Sequence, residues 1–253
     1  KATDRDPRRT AFVTGGSTGI GAAIAVALAR NGYDVAVSAR QTERLAGTLK
    51  EIENAGTRAV AVALELSSLA SIEAAATQVF DAFGHIDVLV NNAATPLHKA
   101  ALAVTPEEWE SVMQPNLKGS FFLSQKIGQR WVERGTPGTI ISIASTHGMV
   151  ALAQRSVYGI AKAALIHMTR ALAIEWAEHG IRVNAIAPGT VETPSRAAVF
   201  KDPKIRKMML DRIPLARFAT MQEVAGAVVY LASPAAAFMT GHTLVLDGGI
   251  TAY

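Results

Sequence analysis

The chain has 253 residues, 49% of them hydrophobic and 18% charged, a balance that suits a packed globular protein and excludes intrinsic disorder. It has no cysteine, which excludes disulfides, thiolate metal sites and thiol nucleophiles and fits a reducing, cytoplasmic location. The net charge of +4 comes from arginines near the amino terminus and from Lys201, Lys204, Arg206, Lys207 and Arg212; without interleaved aromatics these read as solvated surface, so no nucleic-acid partner is expected.

Residues Lys1 to Thr10 are polar, with no apolar stretch of a signal peptide, and residues 1–8 are expected to be a mobile tail. The apolar run Ala22 to Ala29 is too short to span a bilayer, and no membrane association is expected. Residues 9–253 are expected to form a single domain, because no linker, repeat or low-complexity stretch divides them.

Seven short strand-like runs are predicted at Ala11 to Thr14, Val35 to Ser38, Ala59 to Leu64, Ile86 to Val90, Thr139 to Ala144, Arg182 to Ile186 and Thr243 to Leu246. Several are apolar throughout, as strands covered on both faces are. Helices are predicted between them at Gly19 to Asn31, Thr42 to Asn54, Leu69 to Phe83, Pro115 to Glu133, Val157 to His179 and Met221 to Ala232. The alternation predicts a doubly wound α/β Rossmann-type fold: a mostly parallel seven-stranded sheet with helices on both faces. Residues 190–220 read as a long irregular segment and the expected substrate loop.

Between the first strand and first helix stands Thr14-Gly15-Gly16-Ser17-Thr18-Gly19-Ile20-Gly21. Glycines there let the backbone approach a pyrophosphate, which the N–H groups of the helix start would hold. The second strand ends Ser38-Ala39-Arg40 with no acid to accept the ribose hydroxyls, so Arg40 is expected to grip a 2′-phosphate. NADP(H) is therefore the expected cofactor and NAD(H) the alternative. Ser17 would add a hydroxyl contact, while Thr18 brings no second positive charge.

Tyr158 and Lys162 lie four apart on a predicted helix and so share a face. An ammonium beside a phenol favours phenolate, the form needed for a proton acceptor. Ser145 ends the fifth strand, at the sheet edge where open α/β folds bind ligands.

Taken together, TGGSTGIG at Thr14 to Gly21, NNAA at Asn91 to Ala94, Asn116, Ser145, YGIAK at Tyr158 to Lys162 and APG at Ala187 to Gly189 resemble the classical short-chain dehydrogenases/reductases. The resemblance runs from about Arg9 to Gly249. It implies that Ser145 binds a substrate carbonyl, that Tyr158 exchanges the proton, and that Lys162 holds the nicotinamide ribose and lowers the phenol's pKa. Asn116 would anchor a water in the proton relay, with Pro115 tolerated in the first turn of its helix. Asn92 and Ala93 would pass beneath the adenosine ribose, and Pro188, Gly189, Val191 and Thr193 would hold the nicotinamide amide. Glu65 replaces the Asp that meets adenine, leaving that contact to the Leu66 backbone, and Ala94 replaces a Gly, which requires negative φ.

What the resemblance implies is an oxidoreductase of a ketone and a secondary alcohol, tetrameric as the family usually is. It covers 3-oxoacyl-carrier-protein reductases and NAD(H)-dependent sugar or sugar-acid dehydrogenases equally; a non-catalytic dinucleotide-binding regulator is the rival outside enzymes. The six histidines lack ligand spacing, so no metal is expected, and Asp247 reads as part of a turn. His147, two residues beyond Ser145, is a candidate substrate contact, although a turn residue is the simpler reading.

Overall fold

The computed structural model describes residues 8–252. In chain order it begins β1 (Thr10–Val13), α1 (Gly19–Arg30), β2 (Asp34–Ala39), α2 (Ala46–Asn54), β3 (Ala59–Ala63), α3 (Leu69–Phe83) and β4 (Val88–Asn91). It continues with α4 (Pro106–Met113), α5 (Ser120–Arg134), β5 (Gly138–Ile143), α6 (Ser156–Trp176) and β6 (Ile181–Pro188), then α7 (Ala197–Phe200), α8 (Pro203–Leu210), α9 (Met221–Ala232) and β7 (Thr243–Leu246).

The strands form one sheet in the order β3-β2-β1-β4-β5-β6-β7, and every pair is parallel. β1, β4 and β5 are buried along their whole length, which is why they are apolar at most positions on both faces. One face packs on α1, α2 and α9 through Ile24, Leu28, Ile52, Val224 and Val228. The other packs on α3, α5 and α6 through Ile72, Val79, Leu123, Trp131 and Leu165. Trp131 is fully enclosed, and its indole N–H donates to the Ile86 carbonyl at 2.6 Å.

The strand order reverses between β1 and β4, so the connections leave to opposite sides and open a crevice at the carboxyl ends of the strands. Both expected ligand sites lie on that edge.

Three expectations are corrected. The tail expected over residues 1–8 falls outside the described residues except for Arg8, which donates to the Gly56 carbonyl at 2.6 Å and stands 3.6 Å from Asp34, so residue 8 belongs to the fold. The helix expected to start at Pro115 begins instead at Pro106 and runs on to Arg134 through a widened π turn at Gln114–Gly119. A proline lacks the N–H that an α-helix interior needs, and the wider turn accommodates it. Finally, residues 190–220 are not irregular: they contain α7 and α8, and a parallel bridge between Val191 and Ala219 pins the two ends of the excursion together.

Residues Ser156–His179 are long and apolar enough to cross a membrane by length and composition. Half of that stretch is buried inside the molecule, however, with Ala161, Leu165, Met168 and Leu172 packed in the core. This is how a core helix in an α/β layer fold reads.

Candidate active site

The amino-terminal loop is fixed by its own backbone polarity. Thr14 Oγ1 accepts from the Asn92 and Ala93 N–H groups, both at 3.0 Å, which ties β1 to β4 across the crevice. Asn92 Nδ2 donates to the carbonyls of Thr14 and Gly15 at 2.9 and 3.2 Å, and Thr48 Oγ1 of α2 donates to that of Gly16 at 2.8 Å. Gly15 takes a left-handed turn (φ 68°), and a Cβ on Gly21 would lie 2.2 Å from the Gly15 carbonyl oxygen, so only glycine allows the loop to fold onto α1. Thr18 precedes Gly19 and Ile20 at the start of α1 without a side-chain cap, and no acid stands in the first turn. The first N–H groups therefore face the crevice with their dipole unopposed, which suits an anion. The Ile20 side chain meanwhile packs into the core beside α9, leaving its backbone as the part that can serve.

Beside this loop lies an open cavity of about 1030 Å³. Of the residues expected at the cofactor, Gly15, Ser17, Arg40, Glu65, Leu66, Asn92 and Ala93 line it. Arg40 is exposed at its wall, and Arg44, from the turn Thr42–Leu45, adds a second guanidinium. The expectation of only one positive charge overlooked Arg44, four residues beyond Arg40, because the helix signal in that segment absorbed it. Ser111 of α4, also on the wall, escaped notice for want of any predicted helix there. The Glu65 carboxylate accepts from the Ser67 N–H at 3.0 Å, in the turn after β3. Among the described non-glycine residues only Gln154 and Ala216 have positive φ, so Ala94 meets the condition its methyl imposes.

The side chains expected to react stand across the crevice. Ser145 follows β5, and its Oγ accepts from the His147 N–H at 3.1 Å. Tyr158 and Lys162 project from α6 one turn apart, with Lys162 Nζ 5.6 Å from the centre of the Tyr158 ring. Lys162 is 2% exposed and its ammonium donates to the Ile143 carbonyl at 2.7 Å; burial lowers its pKa from 10.5 to about 8. The Tyr158 phenol is raised by burial, against smaller lowering effects of Arg196, the Ser145 hydroxyl and Arg155. This reverses the expected direction for the protein alone: the lowering charges are two arginines, while Lys162 is directed to the Ile143 carbonyl.

Asn116 lies in the π turn, 1% exposed, and its amide clamps one backbone unit: Oδ1 accepts from the Thr95 N–H at 2.6 Å and Nδ2 donates to the Thr95 carbonyl at 2.9 Å. The side chain thus holds the loop after β4, and any water it anchored would be held by its backbone. Pro188 ends β6, and the Gly189 N–H donates to the Leu246 carbonyl at 2.9 Å. Val191 is buried at the pinned base of the excursion, and Thr193 Oγ1 lies 3.1 Å from Ser195 Oγ. Asp247 accepts from Gly249 and Thr251, as expected of a closing turn.

The structure thus brings the expected residues to one edge of the sheet in two groups, a glycine-rich loop with its cationic wall and a Ser-Tyr-Lys set. Comparison with known proteins identifies the family. Residues 15–251 match the family model described as enoyl-(acyl carrier protein) reductase. The 3beta-hydroxysteroid dehydrogenase 1 of Eggerthella lenta is 37% identical over 246 residues, covering 97% of this chain and 94% of that protein. A short-chain type dehydrogenase/reductase from Mycobacterium marinum superposes with a TM-score of 0.92 at 34% identity, over 97% of this chain and 96% of that one. A gluconate 5-dehydrogenase from Burkholderia cenocepacia, solved with NADP and tartrate, does so with a TM-score of 0.92 at 32% identity, over 98% and 97%. The chain belongs to the short-chain dehydrogenase/reductase family, oxidoreductases that act on alcohol and ketone groups.

Proposed function

We propose that the protein is an NADP(H)-preferring oxidoreductase of a ketone and a secondary alcohol in which Tyr158 is the general acid and base. The observation that carries this reading is the meeting of Ser145, Tyr158 and buried Lys162 on the same sheet edge as the uncapped start of α1. The residues fit a dinucleotide. The Gly15 to Ile20 loop would take the pyrophosphate, Arg40 and Arg44 with Ser17 the 2′-phosphate, and the Leu66, Asn92 and Ala93 backbone the adenosine half. Lys162 would reach the nicotinamide ribose, and Pro188, Gly189, Val191 and Thr193 the amide.

When bound, the cofactor supplies or accepts hydride. Ser145 orients the carbonyl oxygen by donating its hydroxyl, and Tyr158 delivers the proton to that oxygen or removes it from the alcohol. Because burial keeps the phenol protonated, the protein alone is set up as a donor, the form ketone reduction requires. Asn116 fixes the loop after β4 to the π turn between α4 and α5.

The cofactor assignment is tested by comparing kcat/KM for NADPH and NADH. A charge-assisted contact to phosphate is worth about 1.5 to 3 kcal/mol, so a preference of roughly 10- to 150-fold is expected, and Arg40→Ala should weaken NADPH alone, reducing that preference to what Arg44 and Ser17 retain. Equal or better performance with NADH would overturn the NADP(H) assignment and leave the catalytic one standing.

A further inference from the structure

Ser145 and Tyr158 come from different elements, and the segments that carry them meet backbone to backbone. After Ser145 the chain makes the turn Thr146–Gly148, in which the Gly148 N–H donates to the Ser145 carbonyl and the Met149 and Val150 N–H groups to that of Thr146, each at 2.9 Å. The turn lies directly on α6. A Cβ on Gly148 would stand 2.7 Å from the Ala163 nitrogen and from the Lys162 carbonyl carbon, and 2.8 Å from the Lys162 carbonyl oxygen. From the helix side, a Cβ on Gly159, the residue after Tyr158, would stand 2.8 Å from the His147 carbonyl oxygen. Neither glycine has a positive φ, so what each supplies is closeness and not an unusual backbone conformation.

This seam closes a circuit through one residue. Lys162 holds the end of β5 with its ammonium, which donates to the Ile143 carbonyl at 2.7 Å, and holds Gly148 against its own backbone. Residues 143–148 are thus fixed at both ends, with Ser145 between them and the His147 N–H donating to its Oγ at 3.1 Å. The His147 ring stands edge-on to Tyr158, with centroids 6.0 Å apart, and bounds the phenol from the side of the turn. Close-packed atoms cannot be pressed together further, and non-bonded carbons rest about 3.5 to 4.0 Å apart, so a methyl at position 148 would force about 0.7 Å or more of movement. α6 has 21 residues and keeps Leu165, Met168 and Leu172 in the core, whereas the turn has three residues. The turn would therefore give way and carry Ser145 with it.

We propose that Gly148, seated with Gly159 in this seam, is a positioning residue that sets the separation of the Ser145 hydroxyl and the Tyr158 phenol. This rests on the reading of Ser145 and Tyr158 as the pair that works on the carbonyl oxygen. A misplacement near 1 Å can cost about 100-fold in rate, so Gly148→Ala should lose about 10- to 100-fold in kcat. Burial raises the Tyr158 phenol and the Ser145 hydroxyl is among the groups that offset it, so withdrawing Ser145 should also move the alkaline limb of the pH profile upward.

Crystal structures of wild type and Gly148→Ala with NADP⁺ test the seam without a known substrate. Kinetics use whichever of cyclohexanone, an acetoacetyl thioester and gluconate the wild type turns over fastest. The variant should show Ser145 Oγ drawn about 0.5 Å or more away from the Tyr158 oxygen, the loss in kcat, the raised alkaline limb, and NADP⁺ affinity within about 3-fold of wild type. Gly226→Ala in α9, where an added Cβ meets nothing within 4 Å, should match wild type throughout. Should Gly148→Ala fail to fold, Gly159→Ala takes its place, since alanine is the better helix former and meets only the His147 carbonyl; the displacement should then be smaller and the loss in kcat about 3-fold. In whichever variant is used, an unchanged distance from Ser145 to Tyr158, or a loss confined to NADP⁺ binding, would overturn the seam. A lengthened distance with undiminished kcat would support it and sink only the catalytic assignment.

Discussion

At the scale of single residues, Lys162 is a group the fold tolerates at a disadvantage. Its pKa is about 8 in the fold against the ordinary 10.5, so the unfolded chain holds the proton more tightly. The resulting destabilisation, on the order of 3 kcal/mol, is fully present below pH 8 and fades as pH rises toward 10.5. Lys162→Met should therefore raise the melting temperature of the cofactor-free protein by a few degrees, even after the loss of the hydrogen bond to Ile143, while damaging turnover. A melting temperature that stays the same or falls would show that the ammonium is better solvated than its burial indicates. Tyr158 gives a prediction of opposite sign. Its phenol is raised from 10.0, so the donor form persists through neutral pH, and ketone reduction should lose rate only on the alkaline side. Since His147 is already neutral above about pH 4, no limb near pH 6 to 7 should come from it; a histidine-like limb removed by His147→Gln would contradict this electrostatic picture.

Among the elements, legibility followed burial. The seven strands and the helices against the sheet are readable because a single period governs each: runs such as Val35-Ala36-Val37 are enclosed on both sides, and Ile72, Ala76 and Val79 recur on one helical face. α4 is different, because only Val112 of its residues is buried and there is almost no apolar stripe to find. Its signal is chemical: Thr105 accepts from the Glu108 N–H, the Glu108 carboxylate accepts from the Thr105 N–H, and Pro106 occupies the first turn. With so little packing, α4 depends on that cap, so Thr105→Ala should lower stability by about 1 kcal/mol, roughly 2 to 4 °C in thermal melts. An unchanged melting temperature would mean that packing, not capping, fixes the helix. α8 carries the same kind of overlooked signal in Asp202, whose carboxylate accepts from the Lys204 and Ile205 N–H groups ahead of Pro203. The π turn at Gln114–Gly119 had no pattern to read, since hydrophobic spacing does not record one extra residue in a turn. Within the site, Tyr158, Lys162 and Ser145 were legible from spacing. Arg44 and Ser111 were not, because they reach the crevice wall from segments that meet the loop only after the chain folds.

For the whole molecule, one edge of one parallel sheet gathers both groups of residues: a strand-order reversal opens the crevice, an uncapped helix start turns its N–H groups toward it, and α6 places the Tyr158 phenol opposite. The outer surface of α6 keeps Ile160 and Ile174 exposed, and α4 and α5 keep Trp109 and Val132 exposed, and we propose that these faces pack between chains in a homotetramer. Sedimentation should show particles of four chains; a monomer at assay concentration would contradict that assembly. The central claim, that this fold is used for proton-coupled carbonyl reduction rather than for dinucleotide binding alone, is tested most directly by Tyr158→Phe. Wild type and variant should be assayed with NADPH and NADH over neutral ketones, 3-oxoacyl thioesters and sugar acids, with cofactor binding measured in parallel. The account predicts turnover by the wild type on at least one class, and in the variant a loss of at least about 100-fold in kcat with cofactor affinity nearly unchanged. Cofactor binding without turnover on any class, or a variant keeping more than about a tenth of kcat, would contradict it.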